Sequence, residues 1–256
     1  MTNAEILQSA LRQSALDCNC APEDFLSGQP KVTVSRPHPG ARKYLPLPLA
    51  CDLVSYGTNI VAQCSEALAP VVLDYISKYP VEHALETPHL HKLDELLAPH
   101  GLQVCFMAEY FLPDMDALKE LPCGYELRVL HQPDFAELYK PEWSNALCEA
   151  RRELDVLGVG AFDGEKMVGF AACSADCDDM WQIGVDVLPR YRRQGIAAAL
   201  TSRLALEILK RGKVPFYCAA WCNLKSVRNA CKCGFRPAWV EVTARDKAFV
   251  DKMNDK

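Results

Sequence analysis

Residues 185–200, VDVLPRYRRQGIAAAL, leave few folds open to this chain. A β-branched run ends at Pro189, which cannot extend a strand ladder. A basic turn with Arg190, Arg192 and Arg193 follows, and Gly195-Ile196-Ala197 opens a helix. Along that helix Ala197, Leu200, Leu204 and Ile208 recur at spacings of three or four, which gives one apolar face. A strand that turns through glycine into an amphipathic helix implies an α/β sheet with the helix packed on it. The first helical turn leaves backbone N–H groups without acceptors and carries partial positive charge. A pyrophosphate can sit there if the local side chains are small. Gly195 admits close backbone approach, Ala197 keeps the turn uncrowded, and the three arginines add mobile positive charge. The same residues also describe a plain helix N-terminus fringed by solvated arginines. The segment is no Walker loop, since no Gly-Lys-Ser/Thr follows, and it lacks the G-x-G-x-x-G of a dinucleotide site.

Charge and cysteine usage narrow the class. Of the 28 basic and 33 acidic side chains, 8 and 15 precede Tyr125, and 20 and 18 follow it. One half is acidic and the other near neutral, so a nucleic-acid partner is not expected. No run approaches 18 apolar residues, and Met1–Glu5 is not a basic region leading into an apolar one. A cytoplasmic protein with no membrane contact is expected. The 13 cysteines then read as reduced thiols filling core positions. Zinc is the alternative, through the pairs Cys18/Cys20, Cys218/Cys222 and Cys231/Cys233. None has C-x-x-C spacing, so no metal is expected.

The chain divides near Leu121-Pro122-Cys123-Gly124, giving an amino-terminal lobe over 1–121 and a second domain over 125–256. In the lobe, periodicity predicts a helix over 3–17, with Ile6, Leu7, Ala10, Leu11 and Leu16 on one side. An irregular, proline-rich stretch follows over 22–49, then a strand or hairpin broken at Gly57. A helix over 67–79, a second from Thr87-Pro88 to His100-Gly101, and a strand over 103–111 complete it. In the second domain, strands are expected at 125–130, 157–162, 167–173, 180–187, 214–221 and 238–242. Helices are expected at 133–139, 141–154, 196–211 and 224–233. Asp163-Gly164 marks a hairpin.

The arrangement Arg192-x-x-Gly195-x-Ala197 after a strand and proline resembles the acyl-CoA signature of the GNAT superfamily of N-acetyltransferases. A second block, Asn223-x-x-Ser226-x-x-x-Ala230-x-x-x-Gly234-Phe235, resembles the last strand–helix–strand unit of that superfamily, and the likeness covers about 125–245. It implies a GNAT-like α/β fold: a mixed, splayed β-sheet flanked by helices, whose fourth and fifth strands part. The smaller α/β lobe before it is expected to shape acceptor specificity and is a candidate degenerate copy of the same fold. The resemblance further implies acetyl-CoA as co-substrate. Its pantetheine arm would bond strand backbone near Val185 and Val187. Backbone N–H groups of Arg193, Gln194, Gly195, Ile196 and Ala197, with Arg192 beside them, would hold the pyrophosphate. Asn223 and Ser226 match cofactor-contacting positions, although both residue types also cap helices.

The implied reaction is transfer of an acetyl group to the amine of a small-molecule or peptide acceptor by direct attack on the thioester. Here the resemblance is incomplete. Ala230 stands where many members carry a proton-donating tyrosine, and Trp181 where a carboxylate base is sometimes found. Asp186, the nearest carboxylate, and Tyr217, on the strand before the second block, are the candidate catalytic side chains. Asp186 also fits a strand-end ion pair, and Tyr217 a core position. The competing reading is an acyl-CoA-binding sensor whose chemistry has lapsed. The sequence does not identify the acceptor or the oligomeric state.

Overall fold

The computed structural model describes residues 1–255. The chain forms two compact units. Unit 1 holds Met1–Ser9 and Phe111–Pro237, and unit 2 holds Ala10–Tyr110 and Ala238–Lys256. The expected boundary at 121–124 lies inside unit 1. The chain changes unit within two long strands, β4 (Leu102–Pro113) and β10 (Phe235–Asp246).

Unit 1 is a mixed α/β structure. Its strands β5 (Glu126–His131), β6 (Asp155–Asp163), β7 (Lys166–Ser174), β8 (Met180–Val187) and β9 (Val214–Ala220) lie in the order 9-8-7-6-5. Neighbours are antiparallel except β8 and β9, which run parallel. The β6–β7 hairpin turns at Asp163-Gly164, where Gly164 takes φ 60°. Helix α4 (Ile196–Lys210) buries Leu200, Leu204 and Ile208 completely, each worth roughly 1.5–3 kcal/mol of transfer free energy. It sits close to β7 because Gly169 has no side chain: a Cβ there would lie 2.8 Å from Ile196 and 3.0 Å from Leu200. Helix α5 (Leu224–Lys232) follows β9.

Residues 132–154 depart from expectation. Instead of two helices they form short 3₁₀ turns at Gln132–Phe135, Pro141–Trp143 and Glu149–Leu154. Pro133 and Pro141 start such turns without sustaining helices, and the turns are fixed by tertiary packing. Phe135 and Trp143 meet Phe170 edge-on, with ring centroids 5.7 and 6.2 Å away.

Unit 2 contains α1 (Asn3–Cys18) from Ala10 onward, β1 (Lys31–Val34), β2 (Cys51–Ser55), β3 (Val61–Cys64), α2 (Ala69–Lys78), α3 (Thr87–Leu97), most of β4 and β10, and α6 (Lys247–Asn254). Its strand order is 1-3-2-10-4. Strand β1 lies in the proline-rich stretch expected to be irregular. The last strand runs well beyond 238–242, and α6 was not anticipated. On α1, Ala10 and Leu11 are buried but Leu16 is exposed. Leu53, Val72, Tyr75, Leu93, Leu97 and Val242 are among the core side chains. A buried guanidinium, Arg42, is held by Asp17 at 2.5 Å and Glu241 at 2.6 Å. Burial, with Glu241 adding to it, raises the nearby Asp52 carboxyl to about 7. All 13 cysteines are free thiols.

Candidate functional site

The site begins where β8 and β9 stop pairing. Their ladder runs from Met180↔Val214 to Ile183↔Tyr217 and ends there. Beyond it, Gly184–Val187 and Cys218–Ala220 line a cavity of about 1130 Å³. The pleat decides which backbone groups face that gap. Leu188 donates its N–H to Val168 on β7, so the even-numbered residues of β8 address β7. The odd-numbered residues therefore point the other way, and the backbone groups of Val185 and Val187 face the gap. The Val187 carbonyl already accepts from Arg192 Nε at 3.0 Å.

At one end of the cavity lies the turn into α4. Arg193 and Gly195 both have left-handed backbone, with φ 64° and 84°. Gly195 is the residue before the helix, and its carbonyl accepts from the Ala199 N–H. The N–H groups of Ile196, Ala197 and Ala198 consequently have no intrahelical acceptor. A Cβ on Gly195 would find nothing within 4 Å. The open space in front of it is a second cavity of about 260 Å³, lined by Gly195, Ile196, Ala197, Arg192 and Arg193 among others. Free amides, cations and space together are an arrangement that could hold a phosphate group. Two of the expected contributors could offer the cavity only their backbone. The Gln194 side chain accepts from the Tyr125 hydroxyl at 2.9 Å, and Ile196 is buried in the core.

The second motif block closes the cavity from the β9 side. Asn223 caps α5, its Oδ1 accepting from the Ser226 N–H at 3.3 Å. Ser226 and Tyr217 share a hydrogen bond of 2.7 Å between their hydroxyls. Tyr217 is the last β9 residue paired with β8, so this hydroxyl pair sits where the strands begin to part. Burial raises the phenol above its ordinary value and keeps it protonated.

Asp186 lines the cavity, but its carboxylate is committed to three donors: the Asn145 N–H at 2.8 Å, the Asn145 side-chain amide at 2.6 Å and the Ala146 N–H at 3.0 Å. The expected arginine ion pair is not the contact it makes. Gly184 fits the same docking, since its backbone lies against the Asn145 carbonyl. Residues 144–147 are thus seated on β8 by one glycine and one carboxylate.

The far end of the cavity holds groups that the sequence did not single out. Asp155 is almost fully buried and accepts from the Cys148 N–H at 3.0 Å and the Tyr139 hydroxyl at 3.2 Å. Burial raises its carboxyl to about 6, despite those two donors. Gln182 donates to the Cys218 sulfur at 3.0 Å. An aspartate opening the apolar run at Val156 was the available signal for Asp155. Lys225, Arg228 and Lys232 also border the smaller cavity, and their helical spacing was legible in the sequence.

The sequence model of the family described as GNAT acetyltransferase matches residues 103–238, more than half of the chain. No curated protein matches significantly. Among solved structures, a putative GNAT acetyltransferase from Novosphingobium aromaticivorans is 18% identical, with a TM-score of 0.46. That alignment covers 56% of this chain and 66% of the other. A GCN5-related N-acetyltransferase from Kribbella flavida is 19% identical with a TM-score of 0.47, covering 60% and 63%. A putative acetyltransferase from Salmonella typhimurium, solved with acetyl-CoA, is 17% identical with a TM-score of 0.35, covering 49% and 95%.

Proposed function

Because the chain belongs to the GNAT acetyltransferase family, we propose that it transfers an acetyl group from acetyl-CoA to the amine of a small-molecule or peptide acceptor. The observation that carries the reading is the junction of the parted β8–β9 strands with the open amide cradle of α4. The residues present fit the co-substrate. The Gly195 turn, with the N–H groups of Arg193–Ala197 and the side chains of Arg192 and Arg193, would take the pyrophosphate. The backbone of Val185 and Val187 would take the amides of the pantetheine arm, and Asn223 and Ser226 would border it. Acetyl-CoA supplies the activated acyl group as a thioester.

The chain's own groups do the rest. Backbone N–H groups facing the gap on β8 are fixed donors for a carbonyl oxygen that gains negative charge. The Tyr217–Ser226 hydroxyl pair supplies a proton where the strands part, in place of the tyrosine missing at Ala230. Asp186 holds residues 144–147 in place through its three hydrogen bonds. Asp155, at about 6, is the cavity carboxylate better suited to accept a proton from the incoming amine. Holding both reactants in one cleft contributes the remaining acceleration.

A second reading, an acyl-CoA sensor without chemistry, is favoured by Ala230 and by the engagement of Asp186. Two measurements separate the readings. Calorimetry with acetyl-CoA should show binding, and none at millimolar concentration would sink both. CoA release from acetyl-CoA in the presence of a panel of polyamines, amino acids, aminoglycosides and peptides should then identify an acceptor. Release is best followed by chromatography, because exposed Cys222 and Cys231 would react with a thiol dye. Tight binding without turnover on any amine would favour the sensor.

A further inference from the structure

Tyr217, the proposed proton donor, is almost wholly buried. A phenol oxygen carries one hydrogen and also accepts hydrogen bonds, so its neighbours decide where that hydrogen points. Two of these neighbours come from one face of α5. Ser226 lies 2.7 Å from the phenol oxygen, and Asn229 follows Ser226 by three residues, on the same side of the helix. Both line the larger cavity together with Tyr217. Burial raises the phenol, and hydrogen bonds from Ser226 and Asn229 oppose that shift by favouring the ionised form. The thiols of Cys233 and Cys218 add to the rise, and the rings of Phe111 and Phe235 that face Tyr217 are apolar.

Asn229 is itself held from behind. Its Nδ2 donates to the Thr201 hydroxyl at 3.0 Å, and Thr201 is fully buried on α4. A side-chain amide nitrogen carries two hydrogens, so one serves Thr201 and the other remains for the phenol. Val227 and Ala230 already supply the apolar contacts of α5 with the core. An amide in the seam between α4, α5 and β9 gives up hydration that packing does not return, so it is there for its hydrogen bonds.

We propose that Asn229, anchored by Thr201, is a positioning residue for Tyr217. By donating to the phenol oxygen alongside Ser226, it leaves the phenol hydrogen directed at the gap between β8 and β9. The inference rests on the reading of Tyr217 as proton donor. The C–S bond of the thioester breaks with its electron pair on sulfur, and Tyr217 passes its hydrogen to that sulfur as a proton. The phenolate left behind is held by two donors, each forming a charge-assisted hydrogen bond. Solvent restores the proton through the hydroxyl of Ser226, which is only half-buried. Asn229 acts through Tyr217 and not on the reacting atoms.

Two measurements test it. On the protein alone, NMR of tyrosine labelled at the ζ carbon follows the ionisation of Tyr217, assigned by its loss in Tyr217→Phe. Asn229→Ala removes a donor that favours the phenolate, so the phenol should ionise at higher pH. Thr201→Val frees the amide without bordering either cavity and should move the titration the same way, and Thr201→Ser should restore it. An unmoved titration in Asn229→Ala overturns the inference whether or not an acceptor amine is known. With an acceptor in hand, Asn229→Ala should lower kcat roughly tenfold in the parent and leave it unchanged in Tyr217→Phe. Acetyl-CoA affinity by calorimetry should hold in both. Equal losses in the two backgrounds overturn the inference and leave Tyr217 as proton donor, since a purely structural role is blind to the phenol. Weaker acetyl-CoA affinity at constant kcat overturns it too, because Asn229 would then serve the co-substrate. If Tyr217→Phe itself leaves kcat unaltered, the proton-donor reading falls and the inference with it.

Discussion

Gly184→Ala tests how the cavity wall is built. A Cβ at this position would lie 1.8 Å from the Asn145 carbonyl oxygen and 2.8 Å from its carbon. Ordinary contact begins at 3.4 Å, so the Asn145 backbone must move away by more than an ångström. That displacement strips Asp186 of donors now at 2.6, 2.8 and 3.0 Å. Hydrogen bonds to a charged acceptor contribute about 1.5–3 kcal/mol each when buried. Asn145 is exposed, and water replaces part of the loss, so we expect a total near 3 kcal/mol. In a protein of this size that lowers Tm by roughly 6–12 °C. Because residues 144–147 form one wall of the cavity while the α4 cradle lies at its other end, acceptor KM should rise and acetyl-CoA affinity should change little. Differential scanning calorimetry and steady-state kinetics read the two effects separately. A Gly184→Ala protein with Tm within 2 °C of the parent and unchanged acceptor KM would refute the docking of this segment on β8.

Further outcomes follow from other parts of the molecule. Gly195→Ala should cost about 1–2 kcal/mol for a left-handed residue and nothing in packing. Its acetyl-CoA affinity should fall at least tenfold by calorimetry, and unchanged affinity would refute the phosphate cradle. Tyr217→Phe should lower kcat by about 100-fold, at the small end for a general acid, with acetyl-CoA KM unchanged; unaltered kcat would remove the hydroxyl pair from the reaction. Asp155→Asn should abolish the rise of kcat/KM through pH 6. Its folded value lies above its ordinary 3.8, so the folded protein holds an extra proton between about 4 and about 6, and stability falls as pH rises through that window. The variant should flatten this limb, which amounts to about 3 kcal/mol, in urea titrations at several pH values. Arg42→Met would leave Asp17 and Glu241 buried without a counter-charge and should destabilise by about 3–5 kcal/mol in denaturant unfolding.

The parts legible in the sequence are those governed by local chemistry. Strand β8, helices α4 and α5 and the start of α3 at Thr87 fall where periodicity, proline and glycine put them, because each has a strong period and a physical boundary, whereas α3 stops at Leu97 and a 3₁₀ turn carries the chain on to Gly101. Strand β1 was hidden because four residues flanked by Pro30 give too short a pattern, and it exists through its parallel pairing with β3. The turns at 132–154 read as helical because their apolar spacing resembles a helix, whereas the first two are packed through Phe135 and Trp143 on Phe170. The cofactor side of the site was readable for the same reason as α4: its donors are backbone groups at a turn. The acceptor side was not. The engagement of Asp186 depends on Asn145, 41 residues away in sequence, and the raised carboxyl of Asp155 depends on burial that no local pattern announces.

The parting of β8 from β9 has a consequence for amide exchange. Val185 and Val187 lie on a strand flanked on both sides in the order of unit 1, where slow exchange is the rule. Their outward amides face a gap instead of a neighbouring strand, so they should exchange far faster than those of Gly184 and Asp186, which face β7. Occupation of the gap should make the two rates converge. An alternation of fast and slow protons along four consecutive residues, lost on adding ligand, would report from inside the sheet without a label or a mutation.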